Sequence, residues 1–179
     1  MARYRPEHKE ATRRRMIETA GRRFKSDGID GSGIATLVAD AGLTNGAFSV
    51  VADQLAAQLN LVNDLPRGLA SVESFLRDYL SPAHRDNLAG GCPSTALLDE
   101  IGRCDIAVRE AYTDGASAMI SAIARHLDDR DAAAATQRAI GLFTLLVGSL
   151  QAARAVTDPE LSERILAAAY ANAMTLATA

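Results

Sequence analysis

Apolar residues recur three and four positions apart along most of the chain, the spacing of side chains on one face of a helix. Met16, Ile17, Ala20 and Phe24 form the first such stripe, within a predicted helix over 7–26. Ile34, Leu37 and Val38 form the second. After Gly42 and Leu43 a further short helix opens at Thr44 and turns Phe48 back to the core. The spacing then predicts helices over 50–63 (Val51, Leu55, Leu59, Val62) and 69–80 (Leu69, Val72, Leu76, Tyr79). Another starts at Cys92-Pro93-Ser94 and carries Leu97, Leu98, Ile101 and Cys104. Tyr112, Ala116, Met119, Ile120, Ile123 and Leu127 line a long helix over 105–127. The next is capped by Asp131 and runs to Val156. Its centre, 140–150, is apolar on all sides, so it is expected inside a core or a subunit interface. Asp158-Pro159 starts the last helix, with Leu161, Ile165, Leu166, Ala169, Met174 and Leu176 on its apolar face. Residues 83–91 read as a polar loop. Val and Ile alternate with polar residues over no long run, so the predicted fold class is all-α.

The 179 residues suffice for one sizeable core or two small domains. The overall charge of −3 is uninformative, but its distribution is not. Residues 1–25 hold seven Arg and two Lys against three Glu, a net of +6, which leaves −9 on the rest. A basic arm on an acidic body is the pattern of a domain that meets phosphate. By this reading no apolar run reaches membrane-spanning length and the basic N-terminus lacks a following apolar block. A cytoplasmic protein with no membrane partner is expected. Cys92 and Cys104 are then expected as thiols. His8, His84 and His126 are isolated from one another, so no metal site and no cofactor are expected. His126 reads as a cation near its helix end. No glycine-rich phosphate loop or paired-carboxylate helix appears, and the chain is not expected to be an enzyme.

Residues 31–48 have the form of a helix-turn-helix, the unit that lays its second helix in the DNA major groove. Ile34-Ala35, then Ala41-Gly42-Leu43-Thr44, then Gly46-Ala47-Phe48, follow a basic helix that ends in Phe24 and Gly28. Together these resemble the DNA-binding domain of the TetR family of bacterial transcriptional regulators. The resemblance implies a three-helix helix-turn-helix domain over 1–52 and a helical ligand-binding and dimerisation domain over 53–179. It implies a homodimer on double-stranded DNA, at a palindromic operator with recognition helices about 34 Å apart, released by a small-molecule inducer. Arg13, Arg14, Ser32, Gly33, Thr44, Asn45, Gly46 and Ser49 are the DNA-facing candidates. Cys92, Leu97, Ile101, Tyr112, Met119 and Phe143 are the candidates for ligand binding or sensing. Leu142, Leu146, Leu150, Leu161, Ile165 and Met174 are assigned to a four-helix dimer interface.

The sequence departs from the family after Phe48. The tyrosine, the aromatic pair and the capping lysine that usually follow are replaced by Ser49-Val50-Val51-Ala52-Asp53-Gln54-Leu55. The segment is shorter by about a dozen residues than the family pattern supplies between its recognition helix and its long connecting helix. Either the segment is a true deletion, in which the third and fourth helices merge or the motif is damaged, or the sequence omits a piece that a fuller form contains; a ligand-binding homodimer that has lost operator binding is the alternative function. The Gly-Cys-Pro at 91–93 resembles a subgroup of such regulators, some of which respond to electrophiles or oxidants. Cys92 precedes a helix N-terminus, which favours the thiolate. It reads either as that sensor, as a small buried hydrophobe, or as the nucleophile of an enzyme, for which the sequence places no histidine.

Overall fold

The computed structural model describes residues 46–104, 106–127 and 131–179. The basic segment and most of the helix-turn-helix, with Arg13, Arg14, Ser32, Gly33, Thr44 and Asn45, lie outside the described residues. The described residues form seven helices and no strand, an all-α fold: α1 (Gly46–Asn63), α2 (Leu69–Tyr79), α3 (Pro82–Asp86), α4 (Pro93–Arg103), α5 (Ile106–Ala124), α6 (Ala132–Ala155) and α7 (Pro159–Thr178).

The caps are where the sequence puts them. Asp131 accepts the Ala133 amide at 2.8 Å, Asp158 accepts the Glu160 amide at 3.0 Å, and Pro159 and Pro93 occupy first turns, where their missing amide is no loss. Ser81-Pro82 ends α2 but also begins α3. The Ser81 hydroxyl accepts the His84 amide at 3.1 Å, and the five-residue helix it caps, Pro82–Asp86, takes up the start of the expected loop over 83–91. Gly68, at φ +126°, turns the chain into α2 and is the one residue with positive φ among the described residues.

α6 is the hub, touching α3, α4, α5 and α7. Its stripe Ala139, Leu142, Leu146, Leu150 and Ala153 lies in one core with Leu76, Met119, Ile123, Leu166 and Ala173. This corrects the dimer assignment. Leu142, Leu146 and Leu150 are 1%, 3% and 0% exposed within a single chain and cannot touch a second one. The stretch 140–150 is apolar all round, so its pattern gave no phase; the structure does. Leu161 stays exposed, while Ile165 and Met174 are half-buried against the core. The outer side of α6 keeps Ile140, Thr144, Gly148 and Ala152 exposed. By length and composition α6 is apolar enough to cross a membrane, contrary to expectation, and only 33% of that apolar window is buried within the chain.

α1 runs unbroken from Gly46 to Asn63. The third residue of Thr44-Asn45-Gly46 therefore opens the same helix that packs into the body, so the two helices expected around Phe48 are continuous from Gly46 onward, and position 52 falls inside that helix. Leu55 lies over Gly115, and His126 Nε2 bonds the Val62 carbonyl at 3.0 Å, so α1 and α5 lie side by side and run the same way. His126 thus ties the end of α1 to the turn after α5 rather than capping its own helix. Arg125 adds a bond to Asn63 Oδ1 at 2.6 Å. A Cβ on Gly115 would fall 2.7 Å from Leu55 Cδ1 and 3.2 Å from Leu55 Cβ. Gly115→Ala is expected to destabilise the protein by about 1–3 kcal/mol, read as a lower urea midpoint at unchanged slope. Gly102→Ala, with nothing within 4 Å of the added carbon, is expected to be neutral or to stabilise by up to about 1 kcal/mol.

Candidate functional site

A polar cluster surrounds the sequence-predicted Cys92 where α3, the turn over 87–92, α4 and α6 meet. Cys92 is the N-cap of α4, and its backbone N–H donates to His84 Nε2 at 3.2 Å. His84 Nδ1 lies 2.8 Å from the Tyr79 carbonyl. An amide only donates and a carbonyl only accepts, so the pair of bonds fixes the imidazole with its proton on Nδ1. Arg154 on α6 donates to the Arg85 carbonyl at 2.9 Å and to the His84 carbonyl at 3.0 Å, covering the open carbonyls of the short helix. Gln151 donates to the Thr95 carbonyl at 3.2 Å. Gly91 sits in the middle. A Cβ there would lie 2.7 Å from the Asn87 carbonyl oxygen and 3.0 Å from Arg154 Nη2, so no side chain fits.

The Cys92 thiol is 4% exposed and faces hydroxyls. Tyr79 Oη and Thr95 Oγ1 are 3.0 Å apart. Burial, with the Cys92 thiol beside it, holds the Tyr79 phenol well above its ordinary range. Burial also raises the Tyr112 phenol, and the Ser94 hydroxyl next to it offsets part of that rise. Both phenols stay protonated. Ser94 Oγ is fully buried and has no partner in hydrogen-bond geometry. Burial lowers the Arg154 guanidinium from its usual value, partly offset by Tyr79 and Cys92. The structure brings His84 to Cys92, which spacing along the chain did not reveal. The imidazole lone pair is taken by the Cys92 amide, the same lone pair a general base would use. The sulfur is buried, so a thiol-reactive compound reaches it only after the surrounding structure opens.

Two cavities lie elsewhere. A groove of about 510 Å³ runs between α1 and α5, lined by Ala52, Leu55, Ala56 and Leu59 on one side and Ala107, Ala111 and Gly115 on the other, with Glu110 and Asp114 at its edge. A void of about 20 Å³ lies in the core beside His126, whose Nδ1 is buried without a partner.

Six residues were predicted to bind or sense a ligand, and none lines either cavity. Leu97, Ile101 and Met119 are buried, and Phe143 packs half-buried against the core. A helical stripe cannot distinguish a cavity wall from plain core, and here these stripes are core. Cys92 and Tyr112 share the hydroxyl cluster described above. Gly46 and Ser49 lie in the first turn of α1. Sequence reading missed His84, whose ring bonds residues five and eight positions away, and Arg154 and Gln151, whose bonds reach back 56 to 70 residues from α6 and carry no local signal. It also missed the groove, whose sign in the sequence is small residues at helical spacing.

No protein-family model matches the chain, and no curated protein does.

Thiol labelling separates the cluster from an ordinary surface cysteine. In the native protein Cys104, which is partly exposed, is expected to react faster than Cys92 when each is read alone in the Cys92→Ser and Cys104→Ser variants. His84→Ala removes two hydrogen bonds, each worth about 1 kcal/mol, and is expected to speed Cys92 labelling by several-fold or more while leaving Cys104 unchanged, as followed by intact mass.

Proposed function

We propose that the chain is a TetR-like DNA-binding regulator, a homodimeric repressor released from its operator by a small ligand or a thiol-reactive compound. The observation that carries this reading is the sequence Gly31–Phe48, whose residue pattern is that of a helix-turn-helix, placed after a segment of charge +6 and ahead of an all-helical body. The course of α1 supports it. A helix that begins at Gly46 and is clamped to α5 as far as Val62 transmits a change in the body to whatever precedes it as a rigid tilt. Release then requires a ligand that binds the tilted state more tightly, typically by about 1–3 kcal/mol. For a thiol-reactive compound, opening of the turn at Cys92 supplies that difference.

The exposed apolar stripes support the dimer. Ile140 is 45% exposed and Leu161 38%, with Gly148, Ala152 and Ala168 exposed along the same two helices. Small residues let a second helix pair approach closely, and a two-fold pair matches a palindrome. The second reading, a ligand-binding dimer that no longer holds an operator, is favoured by the same continuous α1. It leaves no break between the body and the Gly46 end.

A gel shift at low salt on the DNA upstream of its own gene separates the two, since only the regulator binds. For the regulator, Arg13→Ala is expected to weaken all sequences alike and to lower the salt slope by about 0.9. Thr44→Ala is expected to cost on the order of tenfold on the specific site alone; equal losses on random DNA would remove its role. In sedimentation the wild-type chain is expected to be a dimer, and the paired Ile140→Asp, Ala168→Asp variant a folded monomer.

A further inference from the structure

α4 starts on Cys92-Pro93-Ser94-Thr95, and its start is uncapped. A helix leaves its first amides without intrahelical partners, and the N-cap side chain ordinarily offers an oxygen to the amide two or three residues on. Asp131 and Asp158 do this for α6 and α7. Cys92 has the extended backbone of a cap, φ −64° and ψ 125°, but its thiol accepts no amide. Ser94 and Thr95, whose amides a cap would take, are 0% and 4% exposed, so bulk solvent does not serve them.

A second group beside the thiol also lacks a partner. Ser94 Oγ is fully buried and unbonded. Tyr112 adjoins both that hydroxyl and the Cys92 thiol. The Tyr79 hydroxyl, 3.0 Å from Thr95 Oγ1, adjoins the thiol too. Arg154 is within electrostatic reach of it. Amides and hydroxyls donate, and the guanidinium and the helix N-terminus are positive, so the whole surround suits an oxygen anion. What it lacks is an oxygen on the Cys92 sulfur.

Oxidation supplies one, and the sequence closes the usual exits from the first product. A sulfenic acid condenses with a second thiol or with a backbone N–H. Cys104, the other cysteine in the sequence, is the C-cap of the same helix, about 18 Å along its axis, whereas a disulfide needs Cα atoms within about 7 Å. The residue after Cys92 is Pro93, which has no N–H. Burial of Cys92 shuts out a bulky external thiol, while hydrogen peroxide is little larger than water.

We propose that Cys92 is an oxidation site for hydroperoxides, and that its sulfinate is the N-cap of α4. The thiolate sulfur, its proton given to water, attacks one peroxide oxygen. An S–O bond forms, the O–O bond breaks, the sulfur loses two electrons and the departing hydroxide takes the sulfenic proton to become water. The sulfenate sulfur attacks a second peroxide in the same way, leaving sulfinate and water. Like an aspartate, the product carries two oxygens on the atom after Cβ, and these accept the Ser94 and Thr95 amides and the Ser94 hydroxyl. The turn over 87–92 stays closed around it, unlike after attack by a bulky reagent. The chemistry is independent of operator binding.

Peroxide treatment of the full-length protein, followed by tryptic mapping, tests it. The peptide over 86–103 holds Cys92 and no methionine, and that over 104–109 holds Cys104. The 86–103 peptide is expected to gain two oxygen atoms and stop there, whereas in urea-unfolded protein it goes on to three. Oxidation is expected to raise the urea midpoint by about 0.5 M, a rise absent from Cys92→Ala, which carries the same methionines. Cys92→Asp puts a carboxylate at the same point and is expected to unfold at higher urea than Cys92→Ala. A merely apolar role reverses that order, because the acid would be buried without partners. A dominant disulfide, a persistent sulfenic acid captured by dimedone, or three oxygens in the folded protein overturns the assignment. So does an 86–103 peptide left unoxidised while Cys104 reacts, a midpoint that fails to rise on oxidation, or Cys92→Asp unfolding below Cys92→Ala.

Discussion

The structure depends on one apolar stripe buried along α6. Leu142, Leu146 and Leu150 repeat every four residues and are closed off from solvent by α5, α7 and the second helix. Each is fully buried, and removal of one such side chain typically costs about 2–5 kcal/mol. Because α6 touches four other helices, the stripe fixes their distances together. The alanines beside it matter as much. Ala139 and Ala153 on α6, and Ala169, Ala173 and Ala177 on α7, allow those two helices to run close along their length. Ser162 then bonds the Ala153 carbonyl at 2.7 Å, so even the buried hydroxyl at the end of the pair is satisfied.

Around that hub the polar groups act as clamps between elements distant in sequence. Arg154 holds the short third helix from behind, His84 holds the start of the fourth, and His126 holds the end of the first. On the outer side Arg77 bonds Glu73 at 2.7 Å and lies 5.4 Å from the Tyr170 ring centroid, while the Tyr170 hydroxyl donates to the same carboxylate. Exposed pairs of this kind contribute little alone; their effect here is to align the second helix on the seventh. The clamps that matter most are half-buried, where a lost bond leaves a polar group without water.

The positions of α4, α6 and α7 were legible because each has both a periodic stripe and a residue that marks its start. Asp131, Asp158-Pro159 and Cys92-Pro93 mark starts to within a residue. The five-residue helix after Ser81 has too few positions to show a period, so it read as loop. The 140–150 stretch failed differently. An unbroken apolar run says that a helix is buried but not which side meets its own chain, and three leucines were therefore given to an interface that they cannot reach. The site was less legible than the fold. Cys92 stood out by type, but the His84, Arg154 and Gln151 bonds around it depend on how α3, α4 and α6 stack, which no local pattern encodes. The groove was invisible because alanines at helical spacing look the same whether a neighbour covers them or not.

The uninterrupted first helix also fixes a phase. Along a rigid helix, one residue added or removed between Gly46 and the clamp at Leu55 rotates the Gly46 end by about 100° and shifts it about 1.5 Å along the axis. The Gly46 end is therefore coupled to the body by angle as well as by distance. Length changes in this stretch are tolerated in steps that return near a whole turn, three or four residues at a time, whereas a hinged linker would absorb any number.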